Sequence, residues 1–137
     1  MPAYLLDSNA LSELIRNPGG SVSQQFERKA SDPANELLTS IVTACELRYG
    51  AVRKGSRILA ERVDRTLISV KVVPLLVGVD ATYAVLRTDL ERRGQLIGPN
   101  DMLIAAHALA LGAILVTDNV REFKRVKGLK IENWLRP

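Results

Sequence analysis

Five short apolar runs recur along this chain, at residues 3–6, 37–41, 71–75, 114–117 and 130–132, and longer stretches with helical periodicity separate them. Runs this short, rich in Val, Ile and Leu, read as buried strands, whereas apolar residues three and four apart read as one face of a helix. Strands that alternate with helices build βαβ units. The expected fold class is therefore α/β, with a mostly parallel sheet covered on both faces.

Local signals place the boundaries. Leu11, Leu14 and Ile15 share a helix face over 8–17, and Pro18-Gly19-Gly20 stops that helix. Ser21 is expected to cap a second helix, in which Val22, Phe26 and Ala30 align and which Asp32-Pro33 ends. Ser40 is expected to cap a helix over 41–53, and Gly55-Ser56 divides it from another that reaches residue 68. Pro74 marks the third strand as an edge strand. Asp80 opens a helix closed by Arg92-Arg93-Gly94, and Gly98-Pro99 opens one that Gly112 ends. No repeat, linker or low-complexity tract interrupts this order, so one domain over residues 1–137 is expected.

Four acids stand where such a fold would gather them. Asp7 ends the first run, Asp118 ends the fourth, Asp101 opens a helix, and Glu46 lies early in another. Ligands of open parallel sheets bind beyond the carboxyl ends of the strands, where the winding reverses. Clustered carboxylates repel one another and are costly to desolvate, and a divalent cation offsets both costs. Each acid also has an ordinary alternative. Asp7 suits a helix cap, Asp118 followed by Asn119 suits a turn, Asp101 suits a helix N-terminus, and Glu46, on one face with Tyr49, Gly50 and Arg53, suits an ion pair. Asp101 is the hardest to explain away, because Ile104, Ala105 and Ala108 share its face and turn it toward the interior rim.

Composition narrows the function classes. An excess of 19 basic over 15 acidic residues gives a net charge of +4, which makes a nucleic-acid partner worth considering. Aromatic residues form only 4% of the chain, so recognition by stacked bases is disfavoured and backbone contacts should dominate. Residues 1–9 lack a basic n-region, and the apolar stretch 103–116 is too short to span a bilayer, so neither export nor a membrane is expected. With Cys45 alone there is no internal disulfide, and a reducing cytoplasm fits; Cys45 itself is expected to pack inside. His107 has no histidine partner for metal-free acid–base cleavage of RNA, and its Ala-rich surroundings favour a packed helix residue.

The stretches Tyr4-Leu5-Leu6-Asp7-Ser8-Asn9, Thr43-Ala44-Cys45-Glu46-Leu47-Arg48-Tyr49-Gly50, Ile97-Gly98-Pro99-Asn100-Asp101 and Val116-Thr117-Asp118-Asn119-Val120-Arg121-Glu122-Phe123 occur in that order. In this they resemble a PIN-domain ribonuclease of the VapC toxin type, and the likeness runs to Glu132-Asn133-Trp134. The resemblance implies a three-layer α/β/α sandwich around a central sheet of about five strands, the layered class suggested by the periodicity. It also implies a Mg²⁺ or Mn²⁺ site in which Asp7, Glu46, Asp101 and Asp118 match the catalytic, metal-binding acids, with Ser8, Asn9 and Asn119 as polar helpers. Its further implications are an RNA substrate, a homodimer, and a small antitoxin that covers the acidic site and carries the contact to operator DNA.

Hard cations of this kind prefer oxygen ligands and keep waters, so a carboxylate rim can hold one against a phosphodiester. Arg48, Arg87 and Arg121 are candidates to hold RNA phosphates, and Arg92-Arg93 is explained by its helix end. Among the remaining acids, Glu13, Asp64, Asp89, Glu91, Glu122 and Glu132 fall on charge-rich helix faces or turns and call for no special role. A phosphotransferase of the haloacid-dehalogenase kind needs Asp-x-Asp after the first strand, and Asn9 stands at the second position. A catalytically silent nucleic-acid-binding module is the other alternative, against which the four retained acids argue.

Overall fold

The structure is a computed structural model that describes residues 2–137. Strands β1 (Ala3–Leu6), β2 (Glu36–Ser40), β3 (Lys71–Val73), β4 (Ile114–Val116) and β5 (Ile131–Glu132) form one sheet in the order β3-β2-β1-β4-β5. All four pairings are parallel. The chain winds outward from β1 through β2 to β3, then crosses back to place β4 and β5 on the other side of β1. The reversal falls between β1 and β4. β3 is an edge strand, as expected, but it ends at Val73 and Pro74 lies just past it.

Helices α1 (Ser8–Arg16), α2 (Ser21–Ala30), α3 (Ile41–Lys54) and α4 (Arg57–Ser69) precede β3; α5 (Val79–Arg92), α6 (Pro99–Leu111) and the short α7 (Val120–Phe123) follow it. Side chains alternate across the sheet, so the register decides what each face buries. Leu5 pairs with Leu38 and Leu115, and these three pack against Leu86 and Leu90 of α5 and Ile104 and Ala105 of α6. Tyr4 and Leu6 face the opposite way with Val116 and pack against Leu11, Val22, Ala44, Val63 and Trp134. Three layers result, α/β/α. Helix α6 is apolar nearly all round, which suits its burial between the sheet and α5.

Several caps follow the sequence signals. Ser40 accepts a hydrogen bond from Val42 N at 3.1 Å, Ser56 accepts from Leu59 N, Pro99 is the first residue of α6, and Gly112 ends it at a φ of 64° that disfavours any side chain. Two expectations are corrected. Ser21 is not a cap: Gly20 occupies that position, and the Ser21 hydroxyl donates instead to the Leu135 carbonyl at 3.4 Å. Cys45 is exposed, because the buried face of α3 runs through Thr43, Ala44 and Ala51. No described helix is long and apolar enough to cross a membrane.

Candidate functional site

The carboxyl ends of β1 and β4 lie side by side, tied by a hydrogen bond of 2.9 Å from Asp7 N to Val116 O. Asp7 is therefore delivered to the reversal point, and it caps α1 as well. Its side chain is only 3% exposed. Oδ1 accepts from Ser8 N at 2.7 Å, and Oδ2 accepts from the Thr117 hydroxyl at 3.0 Å and from Asn9 Nδ2 at 3.4 Å. Burial raises the Asp7 pKa, and the Ser8 and Thr117 hydrogen bonds only partly restore the charged form.

Glu46 reaches the same region from α3. Its pKa is raised by burial first and by the Asp7 charge second, with the Asn100 side chain opposing. Its Oε1 is buried without a hydrogen-bond partner among the described residues. An orphaned carboxylate oxygen is costly, and such groups call for a missing ligand.

Asp101 sits in the first turn of α6, where the peptide dipoles favour a carboxylate. Asp80 occupies the matching turn of α5, exposed, and the Gly78 N–H with other backbone amides lowers its pKa. Asp101 behaves oppositely. Burial, then the charges of Asp7, Glu122 and Glu46 together with a hydrogen bond to the Glu122 side chain, push it up to about 7. Burial and three neighbouring carboxylates outweigh the helix end.

Glu122 is the acid that sequence reasoning set aside. The turn Asn119 N→Thr117 Oγ1, 3.0 Å, starts α7, and Asn119 Nδ2 then donates to Glu122 Oε2 at 2.9 Å. A readable signal existed: Asn119 and Glu122 have the spacing of an N-cap and its third helical residue, which places that acid on the rim. Thr117 was missed too. Fully buried, its hydroxyl donates to Asp7 and accepts from Asn9 Nδ2 at 3.2 Å and from Asn119 N.

Asp118 lies beside the group, and its backbone N–H donates to Asn9 Oδ1 at 2.9 Å. One of its carboxylate oxygens is engaged away from them: Oδ1 accepts from Asn133 Nδ2 at 3.0 Å and pairs with Arg136 Nε at 3.1 Å. Of the three candidate arginines, Arg48 pairs with Asp64 of α4, and Arg87 with Glu91 and the Tyr83 hydroxyl. Arg121 is exposed on α7 and makes no ion pair among the described residues. His107 is buried. Its Nδ1 lies 2.9 Å from the Ser40 hydroxyl, and its hydrogen bond to the Pro74 backbone must go to the carbonyl, the one polar group proline's backbone offers. Burial lowers its pKa, so the ring is neutral and structural.

The donor set suits a hard divalent cation: it offers oxygen atoms only, one of them without a partner among the described residues, and burial together with the neighbouring carboxylates pushes Asp101 up to about 7. Among the described residues no three acids converge as a ready-made cage. Mg²⁺ does not require one, since it keeps several waters and is usually held by one or two carboxylates together with substrate phosphates. A cleft of about 360 Å³ opens beside Glu46 and Ser8, walled by Ser12, Arg16, Leu47 and Lys54.

Residues 4–129 match the PIN domain family. The chain is a PIN domain of the VapC ribonuclease type. It is 36% identical over 132 residues, 96% of its length and 97% of the relative's, to Ribonuclease VapC2 of Rickettsia felis. It is 34% identical over 98% of its length, and 99% of the relative's, to the tRNA(fMet)-specific endonuclease VapC of Shigella flexneri. Among solved structures, VapBC2 from Rickettsia felis bound to a DNA fragment from their promoter superposes with a TM-score of 0.90 at 34% identity, covering 96% of this chain and 98% of that one. In this PIN domain Asp7, Glu46, Asp101 and Glu122 gather near the reversal point between β1 and β4.

Proposed function

We propose that this PIN domain is a Mg²⁺- or Mn²⁺-dependent endoribonuclease and the toxin of a toxin–antitoxin pair. The observation that carries the reading is the electrostatic coupling of Asp7, Glu46, Asp101 and Glu122 at one sheet edge, with Glu46 Oε1 left unpartnered. Asp7 and Asp101 would hold the cation, with Glu46 and Glu122 beside them. When bound, such an ion supplies a more acidic water and positive charge at the phosphate under attack.

The chain's own residues do the rest. Ser8 N–H and Thr117 fix the Asp7 carboxylate, so no rotamer search precedes binding. With its pKa pushed up to about 7, Asp101 is only partly charged near neutrality in the metal-free chain, and a bound cation would favour its charged form. Asn9 and Asn119 pin the Thr117 loop. Arg121, without an ion pair among the described residues, is the candidate among the three arginines for a phosphate contact.

The substrate proposed is transfer RNA, by extension from the Shigella flexneri relative named for tRNA(fMet). An antitoxin partner follows by extension from the VapBC2 complex of Rickettsia felis, with operator DNA contacted only through that antitoxin. A homodimer and a cytoplasmic location complete the reading. Sequencing RNA ends after induced expression tests it: new ends should appear in transfer RNA with the intact chain and disappear with Asp7→Asn. Identical ends with both proteins would refute it.

A further inference from the structure

The last residues of the chain are built into the sheet edge. Trp134 is 1% exposed, packs on Tyr4 with ring centroids 5.6 Å apart, and donates from Nε1 to Glu132 at 3.0 Å. Asn133 Oδ1 accepts from both Leu135 N and Arg136 N, at 3.0 and 3.1 Å, which turns the backbone back toward β4. Asn133 Nδ2 meanwhile reaches Asp118 Oδ1. These contacts set the Arg136 side chain against Asp118, with Nε 3.1 Å from Oδ1.

Two features make this pair more than an ordinary surface ion pair. The first is its tether: Asp118 N is held by Asn9 Oδ1, and Asn9 Nδ2 reaches Asp7 Oδ2, so Arg136 is two side chains removed from the central acid. The second is what the guanidinium leaves unused. Nε is the guanidinium atom in the ion pair, the side chain is 80% exposed, and no guanidinium nitrogen makes a hydrogen bond among the described residues, which leaves its N–H donors available. An arginine oriented through Nε presents its terminal nitrogens as the planar fork that suits a phosphate.

We infer that Arg136 binds a phosphate of the RNA beside the cleavage site and that Asp118 is the positioning residue that holds its guanidinium there, rather than a ligand of the metal. The inference rests on the ribonuclease reading above. It assigns opposite behaviour to two acids adjacent at the strand ends: Asp7 answers to the cation, and Asp118 answers to Arg136.

The test uses the full-length chain carrying Asp7→Asn, so that RNA is bound without turnover, titrated with transfer RNA over a salt series. Mn²⁺ binding is measured in parallel by calorimetry on the otherwise intact chain with and without Asp118→Asn. Arg136→Ala should weaken RNA binding about three- to tenfold and flatten the slope of log K against log salt by about 0.7 to 0.9, the loss of one neutralised phosphate. Asp118→Asn should weaken RNA binding in the same range, add nothing further once Arg136 is alanine, and leave Mn²⁺ affinity within about twofold. Arg136→Lys should keep the slope while losing part of the affinity. An unchanged slope in Arg136→Ala overturns the inference, and so does loss of Mn²⁺ binding in Asp118→Asn. If the parent fails to bind RNA at all, the ribonuclease reading falls and this inference with it.

Discussion

Replacing Asp101 by asparagine should make the metal-free protein more stable, by an amount that depends on pH. In the folded chain Asp101 titrates at about 7, against an ordinary value of 3.8. Between these two values the folded state holds a proton that the unfolded state has lost, so stability falls as pH rises through the window and is lowest above pH 7. Three pH units correspond to about 4 kcal/mol at most. Asp101 is partly exposed, and solvent screening cuts this to about 1 to 2 kcal/mol. Asparagine keeps the shape, can still donate to Glu122, and carries no charge. The variant should therefore match the natural chain near pH 4 and exceed it at pH 8, by about 3 to 7 °C in melting temperature for a domain of this size. Thermal unfolding in EDTA at pH 4.5, 6 and 8 measures this. Addition of Mn²⁺ at pH 8 should reverse the order, because only the natural chain gains binding free energy. A variant less stable than the natural chain at pH 8, or a gain that ignores pH, would refute the claim that burial and neighbouring carboxylates disfavour the Asp101 charge.

Other consequences follow from the same contacts. Thr117→Val should cost about 2 to 4 kcal/mol in urea unfolding, since it strips a buried donor from Asp7 and leaves the amides of Asn9 and Asn119 short of an acceptor; Thr117→Ser should recover most of it. Trp134→Ala should cost about 3 to 5 kcal/mol, through the cavity it opens against Tyr4 in the β1 face. His107 has a folded pKa below its ordinary 6.5, so its contribution is present above that value and lost as pH falls below it; His107→Gln should flatten the acid limb of the stability profile below about pH 6.5.

Much of this architecture was legible in local chemistry. Strand and helix order, the edge position of β3, the Ser40 cap and the Gly112 stop all follow from short-range rules, because each depends on residues within one turn. Asp7 and Asp101 were readable for another reason: one ends a strand and the other shares a face with Ile104, Ala105 and Ala108, all fully buried. What was not legible depends on side chains meeting across the fold. Glu122 looked like one more charged helix residue until α7 carried it to Asp101, and Thr117 looked like the end of a strand. Asp118 had the right position in the chain, yet Asn133 and Arg136, fifteen or more residues later, decide where its carboxylate goes. Arg48 was free in the sequence and is paired in the fold, because α4 packs Asp64 against α3. Cys45 misled for a simpler reason: α3 is amphipathic only weakly, and one step around the helix separates Ala44, buried, from Cys45, exposed.

The central claim is that these acids work through a divalent cation on RNA, and one assay reaches it directly. Purified chain is incubated with transfer RNA in Mn²⁺, in excess EDTA, and in Mn²⁺ with Asp7→Asn, and the cleaved ends are counted against time. The account predicts site-limited cleavage in the first condition alone, restored to the EDTA sample when Mn²⁺ is added back. Cleavage that persists in EDTA, or that survives Asp7→Asn at the natural rate, would contradict it.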